Sequence, residues 1–318
     1  MIAVNITLLG TAGPAGWPEY GCACASCSRL RAAGAVYKPT AVLVDGIPLA
    51  ECSRWEVPGG WDVQSASGAR LLVASGPGEQ PEPLPDTAYD AVLLDLVGHP
   101  EHLGLLRYLG AVADGTAVHA VYSDHRISSP AELDRRLRWW TPPSPRRYRT
   151  LLLGGSRSGK SAEAELRLAA DPHVTYVATG VRHEDDAEWT ARIEAHRVRR
   201  PLWWDTAETT DVAGRLRSAS GSLLIDGLGS WLTAVLDACG GWDDPAAVRP
   251  MVDELVGAWQ TTGAHVVAVS DEVGLSVVPA SSGGRTFSDI LGELNQRLAA
   301  ESEEVALVVA GRVLELPG

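Results

Sequence analysis

Long apolar runs and basic charge are both scarce in this chain of 318 residues. No window approaches the roughly 18 consecutive apolar residues of a membrane span, and the start MIAVNITLLG lacks the pattern of a secretion signal. Lys and Arg total 27 against 40 for Asp and Glu, a formal charge of −13. Proteins that bind nucleic acid or anionic membranes usually need a basic face. We therefore expect a cytoplasmic protein whose partner is a small molecule and not a nucleic acid.

Cysteine is also scarce, and the five cysteines are an odd number in a chain without an export signal. They are therefore poor material for a disulfide framework. Three of them, Cys22, Cys24 and Cys27, lie within six residues of one another. Such close thiols indicate a metal, and a structural Zn²⁺ with a distant fourth ligand is our preferred interpretation. Reduced cysteines without a metal are the alternative.

Lysine occurs only twice, and one of the two, Lys160, lies in the strongest motif of the chain. The segment GGSRSGKS has the form G-x-x-x-x-G-K-[ST] and follows the apolar run 151–153. Glycines let the loop point its N–H groups inward, Lys160 adds a positive charge, and Ser161 can hold Mg²⁺. The motif predicts a nucleoside triphosphate site formed by Gly154, Gly155, Ser156, Arg157, Ser158, Gly159, Lys160 and Ser161.

The length and one proline-rich segment indicate two domains, which we place at 1–145 and 149–318. The segment TPPSPRRY at 141–148 interrupts any periodic pattern. Downstream, strand-like and helical runs alternate, which predicts an α/β domain with a doubly wound, mostly parallel sheet of the P-loop type. These runs are 150–153, 161–170, 174–178, 188–196, 223–225, 248–261, 266–269, 290–301 and 305–309. Upstream, the strand-like runs 4–9, 41–44, 71–74, 91–94 and 117–122 predict a smaller α+β domain.

Carboxylates follow two of the predicted strands in the second half. Asp226 ends the strand 223–225, a usual place for the carboxylate that orders Mg²⁺ beside the loop serine. A simple strand-end cap is the alternative for this residue. Asp271 and Glu272 follow the strand 266–269, at the edge where open α/β sheets bind ligands. Either of them is alternatively part of a solvated turn.

From about Arg149 onwards the chain resembles the bifunctional adenosylcobinamide kinase and adenosylcobinamide-phosphate guanylyltransferase family of cobalamin biosynthesis. The resemblance runs in order through six segments, which is far more specific than the phosphate loop alone. They are GGSRSGKS at 154–161, YVATG at 176–180, Asp186 to His196-Arg197, Arg200-Pro201 with Trp204, Thr206 and Glu208, LLIDGLGSWLT at 223–233, and DEVGLSVVP at 271–279 followed by Arg285, Phe287, Asp289, Asn295 and Gln296.

The resemblance implies two reactions. In the first, the terminal hydroxyl of adenosylcobinamide attacks the γ-phosphate of ATP or GTP, with Lys160, Ser161, Mg²⁺ and Asp226 neutralising charge. In the second, His196 attacks the α-phosphate of GTP and carries GMP until the new phosphate displaces it, giving adenosylcobinamide-GDP. Neutral imidazole suits this role because its pKa lies near neutrality. Which triphosphate the first step prefers stays open, and the resemblance also implies a homotrimer.

The resemblance further assigns nucleotide contacts to Ala178, Thr179, Gly180, Arg197 and Glu208. The Glu208 carboxylate can accept from N1 and N2 of guanine and so reject adenine, although a plain helix-start charge is the alternative. Two departures from the family stand out in this sequence. Family members often carry two consecutive histidines where this chain has Ala195-His196, and their R-R-F-R-D segment is reduced here to RTFSD at 285–289. The loss of two arginines predicts a weaker grip on substrate phosphate.

Residues 1 to about 125 resemble, more weakly, a shortened metallo-β-lactamase-like domain of the phosphodiesterase type. The matching segments are TLLGT at 7–11 and GCACASC at 21–27. This resemblance implies a late histidine as the fourth zinc ligand, with His125 as first candidate and His119 as second.

The catalytic signature of that fold, H-x-H-x-D-H, is incomplete in this chain. Val97 stands for the first histidine and Glu101 for the aspartate, while His99 and His102 remain. We therefore expect a degenerate domain without hydrolytic activity that serves structure, assembly or cobinamide delivery. A single labile metal at the two histidines is a less favoured interpretation. Two alternative functions stay open for the whole chain, namely a fused metal-dependent phosphodiesterase and a GTP-binding regulatory module without transferase activity.

Overall fold

The computed structural model of the chain describes residues 4–142, 147–180, 200–275 and 277–317. The chain forms two compact units, Met1–Ser144 with Ala169–Pro172, and Pro145–Leu168 with His173–Gly318. The helix predicted at 188–196 lies outside the described residues. Within the described ranges, no helix combines the length and apolar character required for a membrane crossing.

The first unit contains two sheets. An antiparallel three-stranded sheet consists of β1 (Ile6–Gly10), β2 (Ala41–Val44) and β3 (Ile47–Pro48). A five-stranded sheet follows in chain order and consists of β4 (Ser53–Val57), β5 (Gly60–Gln64), β6 (Arg70–Ala74), β7 (Ala91–Leu94) and β8 (Ala117–Ala120). The β4, β5 and β6 pairings are antiparallel, whereas β6, β7 and β8 pair in parallel. The helices are α1 (Ala25–Ala32), α2 (Glu101–Tyr108) and α3 (Pro130–Trp140), with a short 3₁₀ turn at Leu49–Glu51.

The core of this unit lies between its two sheets. Val42 and Val44 of β2 pack in one apolar cluster with Val63, Leu71 and Leu93 of the larger sheet. Strand β7 is buried at all four positions because it lies between two parallel neighbours, and this explains its unbroken apolar sequence AVLL. The alternating burial of β1 and β2 is typical of strands that cover a core on one face only.

The second unit is built on one seven-stranded sheet with the order β11-β10-β12-β13-β9-β14-β15. Its strands are β9 (Tyr148–Gly154), β10 (Val174–Ala178), β11 (Asp205–Glu208), β12 (Ser222–Asp226), β13 (His265–Asp271), β14 (Glu304–Val309) and β15 (Arg312–Leu316). Every neighbouring pair is parallel except the final hairpin of β14 and β15. The predicted mostly parallel α/β sheet is confirmed.

Helices cover both faces of this sheet. They are α4 (Lys160–Leu168), α5 (Val212–Ser218), α6 (Leu228–Cys239), α7 (Arg249–Thr261) and α8 (Ser282–Ala300), with a 3₁₀ turn at Pro245–Val248. Leu151 and Leu153 of β9 join the cluster that contains residues of α5 to α8, whereas Leu152 joins the cluster that contains Leu168 of α4. Successive side chains of a strand point to opposite faces, so the run of three leucines serves two cores.

Helix α8 begins eight residues earlier than the sequence predicts. Ser281 caps its first turn, with Oγ accepting a hydrogen bond from Gly284 N at 3.1 Å. The segment 282–289 is rich in Gly, Ser and Thr, which lowers its intrinsic helix propensity and conceals this first part of the helix from sequence reasoning. Buried contacts further along α8, including Leu291 and Leu294, stabilise the helix.

Candidate functional site

Five neighbouring strands bring the predicted site residues of the second unit to one edge of the sheet. In the strand register Gly154 faces Asp271, Ala178 faces Asp226, and Ala178 also faces Glu208 on its other side. These residues stand at the carboxyl ends of parallel strands, where open α/β sheets bind ligands. The register therefore gathers at one edge residues that are up to 117 positions apart in the sequence, from Gly154 to Asp271.

The segment 154–161 forms a closed loop between β9 and α4. Ser158 N donates to Gly155 O at 3.2 Å, and Gly311 N donates to Ser158 O at 2.8 Å. Gly159 has a φ of 98°, which a glycine adopts at little cost, and Arg157 has a φ of 56°. A Cβ at Gly154 would lie 2.6 Å from Val308 O, whereas the space beside Gly155 is open. The loop thus leaves its backbone accessible next to the start of a helix, the usual setting for binding phosphate.

Lys160 is the first residue of α4, and its ammonium group lies within the site. Its Nζ is 3.1 Å from Gly155 O and 2.9 Å from Asp271 Oδ1. The lysine side chain is 14% exposed and the Asp271 side chain 45% exposed, so water reaches the carboxylate more easily than the ammonium. A carboxylate therefore occupies the position beside Lys160 that the sequence prediction assigns to a nucleotide phosphate.

Ser161 and Asp226 form the second polar contact of the site. Ser161 Oγ donates to Asp226 Oδ1 at 3.1 Å, and the hydroxyl of Tyr176 donates to Asp226 Oδ2 at 2.6 Å. Burial, followed by the charge of Asp226, raises the pKa of Tyr176, so its hydroxyl stays protonated. A hydroxyl and a carboxylate at this separation fit the oxygen donor set that Mg²⁺ prefers.

Three predicted nucleotide contacts lie at the end of β10. Thr179 is 1% exposed, and its Oγ1 donates to Gly227 O at 2.7 Å. Ala178 O accepts from Thr209 N at 3.0 Å, just beyond β11. Glu208 ends β11 and is exposed at the same sheet edge. The register places Ala178 and Glu208 at the same sheet edge as Asp226, and the contacts of Ala178, Thr179, Gly180 and Glu208 to a nucleotide stay predictions.

The predicted nucleophile His196 and its neighbour Arg197 lie outside the described residues. Arg200 is the first described residue after them, and its Cζ lies 3.8 Å from the centroid of the Tyr176 ring. Sequence reasoning assigned no role to Tyr176, although this residue belongs to one of the segments that carry the family resemblance. A tyrosine among the apolar residues of a buried strand is the one local signal that marks Tyr176.

A separate cluster in the first unit contains three of the four predicted zinc ligands. The donor atoms of Cys22, Cys27 and His125 all lie within 4.8 Å of one another. The Sγ of Cys24 caps helix α1 by accepting from Cys27 N at 3.4 Å, and this bond lowers the pKa of Cys24. Burial raises the pKa of Cys27 to about 11. Thiolate and imidazole are the donors that structural zinc sites use.

The residues after β7 hold a second group of possible metal ligands. Donor atoms of His99, Glu101 and His102 lie within 4.8 Å of one another, and His99 Nδ1 is 2.9 Å from Glu101 Oε1. The two imidazole rings are stacked with their centroids 4.9 Å apart. Burial lowers the pKa of His102. Val97 is 5% exposed and belongs to an apolar cluster, so this position offers packing where the resemblance expects a ligand.

An ion pair lies beside these histidines. Asp95 is fully buried and accepts from Gly78 N at 2.9 Å and from Gly98 N at 3.0 Å. The Nη2 of Arg126 donates to both oxygens of Asp95, at 3.1 and 2.8 Å. A Cβ at Gly98 would lie 1.7 Å from Arg126 Nη1, so the guanidinium rests directly on the glycine. The cation next to this buried carboxylate is thus supplied by an arginine of the chain.

Comparison with known proteins identifies relatives of the second unit. The model of the family described as cobinamide kinase / cobinamide phosphate guanyltransferase matches residues 150–316. The bifunctional adenosylcobalamin biosynthesis protein CobU of Salmonella typhimurium is 40% identical over 174 residues, 51% of this chain and 95% of the relative. The protein CobP of Pseudomonas aeruginosa, described in the same words, is 40% identical over 176 residues, 54% of this chain and 98% of the relative.

Solved structures show a more distant similarity. The flagellar accessory protein FlaH from Methanocaldococcus jannaschii aligns with a TM-score of 0.32 and 9% identity, over 57% of this chain and 80% of that chain. An ATPase of a bacterial type III secretion system aligns with a TM-score of 0.34 and 11% identity, over 50% of each chain. Both values are too low to bear on the fold.

The ion pair of Lys160 and Asp271 leads to a prediction about nucleotide affinity. Asp271→Asn removes a negative charge beside the phosphates and frees the ammonium group, so we expect GTP to bind about three- to tenfold more tightly, since 1.4 kcal/mol corresponds to a factor of ten. Titration of a fluorescent GTP analogue measures the Kd. Asp205→Asn removes the same charge at the amino-terminal end of β11, away from the phosphate loop, and should leave the Kd unchanged. Unchanged or weaker binding by Asp271→Asn would contradict the prediction.

Proposed function

The chain belongs, through residues 150–316, to the cobinamide kinase and cobinamide phosphate guanyltransferase family, and we propose from this that it phosphorylates adenosylcobinamide and then transfers GMP to the product. The observation that carries the proposal is the convergence of Lys160, Ser161 and Asp226 at one sheet edge, in a chain that covers 95% of a curated bifunctional relative. Adenosylcobinamide and GTP or ATP are the substrates. The homotrimer expected from the resemblance stays a prediction.

In the kinase step, the terminal hydroxyl of adenosylcobinamide attacks the γ-phosphorus, and the bond to the β-γ bridging oxygen breaks. The nucleoside diphosphate leaves, and the hydroxyl proton passes to water. The loop of residues 154–161 directs N–H groups at the phosphates, and the ammonium of Lys160 neutralises charge that develops on them. Ser161 and Asp226 would hold Mg²⁺, which when bound screens the phosphate oxygens. The Asp271 carboxylate must leave Lys160 before the phosphates enter, because both bind the same ammonium group.

In the guanylyl step, we assign the nucleophile to His196, following the resemblance. A neutral imidazole nitrogen forms a bond to the α-phosphorus of GTP, and the bond to pyrophosphate breaks. An oxygen of adenosylcobinamide phosphate then attacks the same phosphorus, and the phosphorus–nitrogen bond breaks, which regenerates the histidine. We assign Arg197 to the transferring phosphate and Glu208 to the N1 and N2 donors of guanine. The exposed position of Glu208 at the binding edge supports this assignment.

The covalent intermediate makes the guanylyl step directly testable. Incubation of the full chain with α-³²P-GTP and Mg²⁺ should give a labelled protein whose label is lost in acid and retained in base, as expected for a phosphoramidate. His196→Ala should abolish the label. His173→Ala removes an exposed histidine of the same unit and should label like the wild type.

Two results of the labelling experiment would contradict this assignment. Retention of label by His196→Ala would mean that another residue is the nucleophile. GTP binding by the wild type without any label would contradict the transferase step and favour a GTP-binding regulatory module. Addition of adenosylcobinamide phosphate should discharge the label, which separates a true intermediate from a side reaction.

We also propose that Cys22, Cys24, Cys27 and His125 hold a structural Zn²⁺. The proximity of the Cys22, Cys27 and His125 donors supports this proposal. So does the position of Cys24, which caps the start of α1 one turn before Cys27. The ion would bridge residues that are 98 positions apart, from Cys27 to His125, and so connect the start of the unit to the region after β8. Such a site stabilises a fold and takes no part in chemistry.

Metal analysis tests the zinc site. The purified, reduced chain should contain about one tightly bound zinc, because a closed set of four ligands holds the metal. Cys22→Ser and Cys27→Ser should each reduce the zinc content and lower the thermal midpoint of unfolding. Cys52→Ser changes another cysteine of the same unit and should alter neither. Zinc content in both ligand variants equal to that of the wild type would contradict the site.

For the remainder of the first unit we propose that it has no hydrolytic activity. The buried Val97 and the Arg126–Asp95 ion pair support this, since an apolar side chain and an internal cation stand where metal ligands and metal charge would be needed. The chain should therefore show no zinc-dependent turnover of bis(4-nitrophenyl) phosphate above the buffer rate. Turnover that His102→Ala abolishes would instead favour a fused phosphodiesterase.

A further inference from the structure

We propose that Tyr176 is a positioning residue that holds the carboxylate of Asp226 in the orientation needed to bind the Mg²⁺–nucleotide complex. This inference rests on the proposed function, because it concerns the metal of the kinase and guanylyl steps. On this proposal Tyr176 does not contact the nucleotide itself. It acts through the one carboxylate to which its hydroxyl is bonded.

The geometry of Asp226 carries the proposal. Its two oxygens have different partners: Oδ2 accepts from the Tyr176 hydroxyl at 2.6 Å, and Oδ1 accepts from Ser161 Oγ at 3.1 Å. The partners approach from different elements, Tyr176 from β10 and Ser161 from α4. A carboxylate whose one oxygen accepts a hydrogen bond from a fixed donor cannot rotate freely about its Cβ–Cγ bond. Its other oxygen therefore stays directed at Ser161, with which it would share the metal.

The Tyr176 ring is itself held in place, which gives its hydroxyl a defined position. The residue is 7% exposed and packs in an apolar cluster with Leu152, Leu224 and Trp204. The Arg200 guanidinium lies over the ring, with Cζ 3.8 Å from the ring centroid. A ring packed against the core and covered by a cation has little rotational freedom, so the hydroxyl is fixed by packing.

The tyrosine hydroxyl is an uncharged donor, and it donates to Asp226 Oδ2 at 2.6 Å. A neutral donor orients Asp226 without neutralising it, so the full negative charge remains available to the metal. A lysine or arginine at this position would orient the carboxylate but would compete with the cation.

The test compares nucleotide affinity with and without metal in Tyr176→Phe. This substitution keeps the ring and its packing and removes only the hydroxyl. The Kd of a fluorescent GTP analogue is measured on the full chain, once with Mg²⁺ and once with EDTA. We expect the Mg²⁺-dependent gain in affinity to fall about three- to tenfold in the variant, as for the net loss of one ordinary hydrogen bond, with the Kd in EDTA unchanged.

Two further variants separate positioning from a general structural effect. Tyr148→Phe makes the same change at the opposite end of the sheet, on β9, and should leave both Kd values unchanged. Asp226→Asn should itself remove most of the Mg²⁺-dependent gain. In that background Tyr176→Phe should cause no additional loss, because its effect passes through the carboxylate.

The possible outcomes are distinct. An unchanged Mg²⁺ gain in Tyr176→Phe overturns the proposal, and so does an equal loss of affinity with Mg²⁺ and EDTA, which indicates a purely structural role. An additional loss in the Asp226→Asn background also overturns it. Wild-type protein that binds no nucleotide under either condition would overturn the proposed function itself. The labelling of His196 is a separate experiment, so a failure of the guanylyl step can be distinguished from a failure of the proposal for Tyr176.

Discussion

The parallel register of β9, β12 and β13 is the constraint on which the functional part of this protein depends. Parallel strands end at the same edge, so residues that follow β9, β12 and β13 must lie close together whatever their separation in the sequence. The phosphate loop, Asp226 and Asp271 meet for this reason. The two helical layers that bury both faces of the sheet keep this register, since a slip of one residue would exchange the two cores.

The charged and polar side chains of this site are paired with one another in the structure. Lys160 is paired with Asp271, and Asp226 is bonded to Ser161 and Tyr176. Each contact gives a polar group of the site a hydrogen-bond or ion-pair partner. Phosphates would take the place of Asp271 at the lysine, and a metal would enter between the serine and Asp226. On the proposed function, the site is organised before the nucleotide binds, and binding breaks the ion pair of Lys160 and Asp271.

The candidate sites of the two units are formed by different kinds of structural element. In the second unit, the proposed site residues Lys160, Ser161 and Asp226 come from a strand end and a helix start, which are rigid elements. In the first unit, the donor atoms of Cys22, Cys27 and His125 lie close together, but strand pairing does not bring them there. There Arg126 supplies the cation beside the buried Asp95, and Val97 joins the apolar cluster. The residues after β7 thus contribute apolar packing and an internal ion pair.

The sequence by itself determined the phosphate loop, the family and the alternation of strands and helices. These features depend on local glycine spacing and on apolar periodicity, which neighbouring residues are enough to reveal. The sequence pattern did not predict the beginning of α8, because Gly, Ser and Thr have low helix propensity. Buried contacts further along the helix stabilise it. Only the tertiary structure decided that Asp271 pairs with Lys160 and that Tyr176 holds Asp226. Tyr176 and Asp226 are 50 residues apart, and their contact arises from strand register, which no local pattern encodes.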